Sequence, residues 1–419
     1  MRLMQNSGIE WIGEIPKEWT INSISQLFSQ VKNKNTDLQE TNLLSLSYGK
    51  IKRKNIETTD GLLPESFDGY NIVESNDIVL RLTDLQNDHK SLRVGLVTER
   101  GIITSAYLTI RNHSESIAKY LYFYLHAFDI SKGFYGMGAG VRQGLNWDGI
   151  KWLKILSPSI PEQQAIADFL VTQCAHIDSV IEKTRAAIEE YKKLKQSVIT
   201  QAVTKGIRPN REMKGSGIEW IGEIPEEWDV QKIKFSVKWK SEKGHPNAEV
   251  LSLYRDYGVI PKSSRDDNHN VTSLDTSSYK FVSKGDFVVN KMKAWQGSMA
   301  LSDYEGIISP AYHVCEIINK NINKKYFHYL LRNQLYLPEY LRLSTGMRIG
   351  QWDLSFDDFA NLLFVIPSYN EQQEIVDYID KKIPEIDSLT SKKEQLISEL
   401  ESYKKSLIYE YVTGKKEVV

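Results

Sequence analysis

Cysteine is scarce, with two in 419 residues; Cys174 and Cys315 sit in different kinds of segment with no metal-ligand spacing around either. That argues against a disulfide framework or a zinc site and leaves both as small buried apolar residues. Long apolar runs are missing as well, and the start MRLMQNSGIEW lacks the apolar core of a secretory leader. The expectation is a cytoplasmic protein with no membrane partner. A charge excess is the third absence: 53 basic residues face 54 acidic ones, for a net charge of −1. A stand-alone nucleic-acid binder carries a basic balance, so DNA contact here requires cations gathered locally or supplied by a partner. The eight histidines are scattered without His-x-x-x-His pairing and no Walker A string occurs, so neither a metal ion nor a cofactor is expected on this chain.

What the chain has is a repeat. Ser7 to Trp19 (SGIEWIGEIPKEW) returns as Ser216 to Trp228 (SGIEWIGEIPEEW), differing only at Lys17 and Glu226. The same offset of 209 relates Glu162-Gln163-Gln164 to Glu371-Gln372-Gln373, Ile177-Asp178 to Ile386-Asp387, and Val203-Thr204 to Val412-Thr413. Each half is therefore a complete unit with a head and a tail, and function must use two similar units in one polypeptide.

The heads alternate short β-branched and aromatic runs with Gly, Asn and Asp turns, as at Ile78 to Leu80 and Phe287 to Val289. A helical stretch follows in each, Ile117 to His126 and Asn323 to Leu331, so the heads are α+β. The tails lack Gly and Pro over long distances. From Glu162 to Thr204, apolar residues recur at steps of three and four, from Ile166, Phe169 and Leu170 to Val198 and Val203. Pro161 and Gly206 bracket this helix, and Pro384 inside the second tail is expected to kink or interrupt it. Two apolar stripes of matching length bury each other most economically as an antiparallel coiled coil. The predicted plan is a head over 1–160, a helical spacer over 161–206, a second head over 207–369 and a second spacer over 370–419. The heads then sit at opposite ends of a rod, related by a pseudo-two-fold.

The heads share a frame and differ in their inserts. The offset falls to 205 at Ala106/Ala311 and Tyr107/Tyr312, and the extra residues of the first head lie between Arg81 and Lys90. Arg81, Thr83, Asp84, Gln86, Asn87 and Lys90 are groups that read base edges, and their counterparts are Asn290, Lys291, Lys293 and Gln296. A solvated polar hairpin is the competing reading of such a segment. Further candidates at equivalent places are Lys50, Lys52, Arg53 and Lys54 against Tyr254, Arg255 and Lys262, and Arg142, Gln143 and Asn146 against Arg348 and Gln351. The last pair of loops combines a cation, an amide and glycines, which lets backbone approach phosphate. Trp11, Trp19, Trp220 and Trp228 recur in both halves, so they read as core anchors.

With these features the chain resembles the specificity subunit of Type I restriction-modification systems. The resemblance rests on the two G-I-E-W-I-G-E-I-P-x-E-W openings, the P-x-x-x-E-Q-Q-x-I helix starts at Pro158 and Pro367, the R-x-T-D-L-Q-N-D string at Arg81 to Asp88, and the duplicated plan. It implies a non-catalytic reader of double-stranded DNA with two target recognition domains, each reading half of a split, asymmetric site. It also implies two methyltransferase subunits that methylate adenine N6, and two restriction/translocase subunits that cleave. S-adenosylmethionine, ATP and Mg2+ would then reside on those partners.

Two other readings compete. Phe134-Tyr135-Gly136-Met137-Gly138 matches the F-x-G-x-G string of S-adenosylmethionine sites, which would make the chain its own adenine methyltransferase. No N-P-P-Y/F or D-P-P-Y/F string accompanies it, and Glu212-Met213-Lys214 is an isolated nuclease-like fragment in a linker. A bivalent protein scaffold without DNA affinity fits the neutral charge but not the divergent inserts.

Overall fold

The computed structural model describes residues 2–56, 64, 66–85, 92–137, 144–255, 257–265, 272–273, 275–346 and 352–418. The chain divides into two compact units, Met1–Arg185 with Gln395–Val419 and Ala186–Glu394. The boundary falls inside both long helices, Ile160–Lys205 and Tyr369–Val412. Each unit therefore owns one head, the start of the helix that follows it, and the end of the helix from the other repeat.

The heads are mixed α and β, and their sheets match one for one. In the first unit a four-stranded antiparallel sheet runs in the order Phe28–Gln30, Leu108–Asn112, Ile78–Leu80, Val94–Leu96. In the second the order is Val237–Lys240, Tyr312–Ile317, Phe287–Asn290, Met299–Leu301. The β-rich runs predicted at Ile78 and Phe287 are the buried third strands of these sheets. Their preceding aspartates are buried and do matching work. Asp77 accepts the Glu74 amide and pairs with Arg111, while Asp286 accepts the Ser283 amide and pairs with Lys240. The expected helices lie at Ala118–Ile130 and Lys324–Leu331, a short helix precedes the last strand of each head at Trp147–Ile150 and Phe356–Asn361, and the second unit adds one at Leu337–Leu343.

The first long helix begins earlier than its apolar pattern, so Pro161 lies in the first turn, where its missing amide hydrogen is not needed. Gly206 (φ +76°) and Gly414 (φ +72°), just beyond the two helix ends, take the left-handed conformation that a side chain resists. Pro384 removes one helical hydrogen bond, yet the helix runs through it without interruption, with Ile379 and Ile386 buried on either side.

The E-Q-Q strings have a structural purpose. Gln163 is buried, accepts the Ile117 amide at 2.9 Å and donates to the Pro158 carbonyl at 2.9 Å. Gln372 does the same with Asn323 at 2.8 Å and Pro367 at 2.9 Å. Each glutamine thus pins a long helix to the short helix and final strand of its own head, satisfying backbone groups that would otherwise be stranded.

Within each unit the two helix segments run antiparallel. In the first, Phe169 packs on Tyr411 with ring centroids 4.5 Å apart, Asp178 binds Lys404 at 2.6 Å, and Arg185 binds Glu401 at 2.9 Å. In the second, Lys195 binds Asp387 at 2.7 Å and Lys393 lies 5.8 Å from the Tyr191 ring. The ends of the exchanged helices belong to the cores. Leu407, Ile408 and Val412 are buried with Trp19, Tyr120 and Ile166, and Ala202 and Val203 with Trp228, Tyr326 and Ile375. The Tyr120 hydroxyl reaches the Leu156 and Val412 carbonyls, and the Tyr326 hydroxyl reaches those of Val365 and Val203. Trp19 and Trp228 are buried, and Trp11 and Trp220 pack at the edges of the same cores against Phe128 and Tyr336.

Candidate nucleic-acid interface

In each head the polar segments stand beside one edge of the four-stranded sheet. The insert leaves the third strand and returns as the edge strand, and a hairpin packs on that edge. In the first unit the hairpin is Leu44–Ser47 with Lys50–Arg53, whose Leu46 and Ile51 lie close against Gly95. In the second it is Leu251–Tyr254 with Gly258–Pro261, bridged to the edge through Val259 and Ser302. The third loop closes on the insert: the Leu145 amide donates to the Leu82 carbonyl at 2.8 Å, and the Leu354 amide to the Lys291 carbonyl at 3.0 Å. Among the described residues, each unit thus brings together the start of the insert, the hairpin and the residues that follow the third loop.

The basic run of the first hairpin is partly committed. Lys50 binds Asp178 at 3.2 Å and Arg53 makes a two-pronged pair with Glu99. Burial raises the Asp178 carboxyl, but the hydrogen bonds and charges of Lys404 and Lys50 outweigh it and hold the pKa below the usual range. The Arg53 hydrogen bond does the same for Glu99. Lys52 and Lys54 are exposed and make no ion pair among the described residues. Strand alternation places Lys50 and Lys52 on the face opposite Ile51 and Arg53.

In the insert, Leu82 and Leu85 are buried anchors, while Thr83 is exposed and Arg81 and Asp84 are half-buried. Asp84 takes φ +56°, a conformation that Asp tolerates better than most side chains. Asn146 caps the short helix Trp147–Ile150, its side-chain oxygen accepting the Gly149 amide at 3.0 Å. That role was not anticipated from sequence.

The second head builds its insert from tight local turns. Asn290 accepts the Met292 amide at 3.2 Å, Lys291 binds Asp353 at 3.2 Å, and Trp295 meets Trp352 edge-on at 5.2 Å. Lys293 is exposed and Gln296 half-buried. Lys262 donates to the Thr272 hydroxyl at 2.6 Å, and the Arg255 carbonyl accepts from Arg332. Arg265, not singled out from sequence, lies 4.3 Å from the Tyr257 ring and 5.6 Å from that of Tyr254. Gln86, Asn87, Lys90, Arg142, Gln143, Arg348 and Gln351 lie outside the described residues.

The F-x-G-x-G string lies in the turn that follows the helix Ala118–Ile130, with Phe134 buried against Phe128 at 4.8 Å between centroids. A cofactor loop instead follows a strand and opens a helix; Gly138 lies outside the described residues. Among the described residues no group of three or more acidic, His or Cys side chains is placed to hold a metal ion. No described helix is long and apolar enough to cross a membrane.

Residues 225–399 match the family described as Type I restriction modification DNA specificity domain. The Type I restriction enzyme MjaVIII specificity subunit of Methanocaldococcus jannaschii is 23% identical over 405 residues, which is 91% of this chain and 90% of that protein. A second relative from the same organism, named for the MjaX specificity subunit, is 24% identical over 233 residues, 53% of each chain. Among solved structures, a chain of a type I R-M system, from work on its complex assembly and conformational transition, superposes with TM-score 0.68 at 13% identity, covering 96% of this chain and 99% of its own. The HsdS subunit of Thermoanaerobacter tengcongensis superposes with TM-score 0.55 at 14% identity, covering 96% and 98%. At such identities the superpositions speak for the fold alone.

The fold defines a protein of two similar mixed α and β heads, each completed by segments of the two long helices, and the second head falls largely within the matched specificity domain. Residues 225–399 match a Type I restriction modification DNA specificity domain, and over nearly its whole length the chain is similar to a Type I specificity subunit.

Proposed function

We propose that this chain reads a bipartite, asymmetric site on double-stranded DNA, one half-site per head, and directs partner subunits that methylate adenine N6 or cleave. The observation that carries this reading is the pairing of one sheet frame with two unlike polar inserts. The equivalent strands Ile78–Leu80 and Phe287–Asn290 lead into Arg81-Leu82-Thr83-Asp84 in one head and Lys291-Met292-Lys293-Ala294-Trp295 in the other. Two copies of one partner would not need different contact segments, whereas two different half-sites would.

The two long helices, 46 and 44 residues, act in this proposal as an antiparallel coiled coil that fixes the distance between readers. Two methyltransferase subunits dock on them and supply phosphate contacts, which reconciles DNA binding with a net charge of −1. Two restriction/translocase subunits complete the nuclease, and S-adenosylmethionine, ATP and Mg2+ act on the partners. The chain alone neither methylates nor cleaves.

Footprinting of the assembled complex tests this. The proposal expects protection of two segments about one helical turn apart, weakening steeply as salt rises. Uniform protection, or methyl transfer by the isolated chain, would contradict it.

A further inference from the structure

Arg93 is fully buried, yet nothing about the strand Val94–Leu96 that follows requires a guanidinium there. Its donors point into the insert. Nη1 donates to the carbonyls of Arg81 at 3.0 Å and Thr83 at 2.8 Å, Nη2 to that of Asp84 at 3.3 Å, and Nε to the Tyr135 hydroxyl at 3.2 Å. Its charge lies 4.9 Å from the Tyr135 ring centroid, and its own amide is held by Asp129 at 2.6 Å. One planar fork thus accounts for three carbonyls of an irregular backbone and ties that backbone to the segment running towards Gly144 and Asn146.

The second head shows what the guanidinium replaces. The bond from the Arg81 amide to the Arg93 carbonyl recurs as Asn290 to Ser298, so Ser298 stands where Arg93 does. There the insert closes on itself through Lys293 to Asn290, Gln296 to Lys293 and Gly297 to Ala294, with no buried cation in that role among the described residues. In the first insert the backbone bonds among the described residues run outward, from the Arg81 amide to the Arg93 carbonyl and from the Leu145 amide to the Leu82 carbonyl, and a carbonyl left inside protein without a donor is costly. Lysine could not substitute, because a single ammonium does not span the carbonyls that the fork reaches.

We propose that Arg93 is the positioning residue of the first reader: it sets the backbone from Arg81 to Asp84 and couples it to the Tyr135 segment, so that it determines base discrimination without touching DNA. This rests on the reading of the chain as a two-headed DNA reader.

Two readouts of Arg93→Lys separate the claims. Hydrogen exchange on the free full chain should quicken at least tenfold for amides within 81–85 and 134–137, while the equivalent segments of the second head stay unchanged. Competition binding by the assembled complex, with single-base variants of each half-site, should show discrimination falling at least tenfold at one half-site and staying within twofold at the other. Unchanged exchange in a folded variant overturns the proposal, as does equal loss at both half-sites or unchanged discrimination. If Arg93→Lys does not fold, Tyr135→Phe decides the matter by the same readouts, with a two- to fivefold effect at the same half-site expected and none refuting it. Wild-type complex without half-site preference would defeat the DNA-reader reading itself, whereas the exchange result judges the Arg93 network independently.

Discussion

Val203→Ala should loosen the second unit, although Val203 stands in the helix that follows the first head. Its side chain is fully buried with Trp228, Tyr326 and Ile375, and its carbonyl lies 3.1 Å from the Tyr326 hydroxyl. Removing two methyl groups forfeits about 1.6 kcal/mol of transfer free energy at ~0.8 kcal/mol per carbon, and the cavity left behind brings the loss to about 2–3 kcal/mol. Amides that exchange through opening of the second unit should then exchange roughly 30 to 150 times faster, including those of Phe287–Asn290 and Tyr312–Ile317. Val412→Ala should do the same to Ile78–Leu80 and Leu108–Asn112 in the first unit, where Val412 is equally buried. Hydrogen exchange read by mass spectrometry resolves both. If Val203→Ala quickened exchange chiefly in the first unit, or equally in both, the exchange of helix ends between repeats would be refuted.

Three further outcomes follow from charge and length. Burial, with the charge of Lys404, pushes the His126 imidazole down to about 4, and burial pushes the Asp129 carboxyl up to about 6. The neutral His126 favours folding above the ordinary 6.5, an advantage lost as pH falls towards 4; the protonated Asp129 favours folding below the ordinary 3.8, an advantage lost as pH rises through 6. The slopes oppose each other. Relative to wild type, Asp129→Asn should therefore lose stability in the first unit on acidification from pH 6 to 4, and His126→Gln should gain it, by at most about 1.4 kcal/mol per pH unit in denaturant titrations. Asp286→Ala, which strands the largely buried Lys240, should destabilise by about 3–5 kcal/mol, while Asp77→Ala strands the more exposed Arg111 and should cost about 1–3 kcal/mol in the same assay. Inserting one helical turn in each long helix should lengthen the tolerated spacer by about two base pairs, seen as a shifted methylation motif; an unchanged spacer would contradict the ruler role.

Much of the architecture was legible because it rests on periodicity and repetition. The apolar steps from Ile166 to Val203 mark a helix in any context, and the duplicated opening announced two heads before any strand was placed. The sequence could not say which helix end completes which head, since Val203 and Val412 look alike and the choice is tertiary. Pro384 does not interrupt the helix, for a related reason: loss of one hydrogen bond weighs less than the buried isoleucines around it. Among candidate contact residues, composition could not separate a cation awaiting phosphate from one already paired. Lys50 and Lys52 are two residues apart, yet one is bound to Asp178 and the other is exposed without an ion pair among the described residues. Arg93 escaped notice because a lone arginine between Leu92 and Val94 carries no motif; the signal was a cation flanked by apolar residues at the entry to a strand.

The most direct test is a methylome of a host expressing this chain with its neighbouring subunits. The account predicts N6-methyladenine in a motif of two unlike specified segments separated by a fixed run of unspecified bases, with only one segment changed when residues 81–90 are exchanged for those of a relative. A continuous motif, a palindrome, or both segments changing together would contradict it.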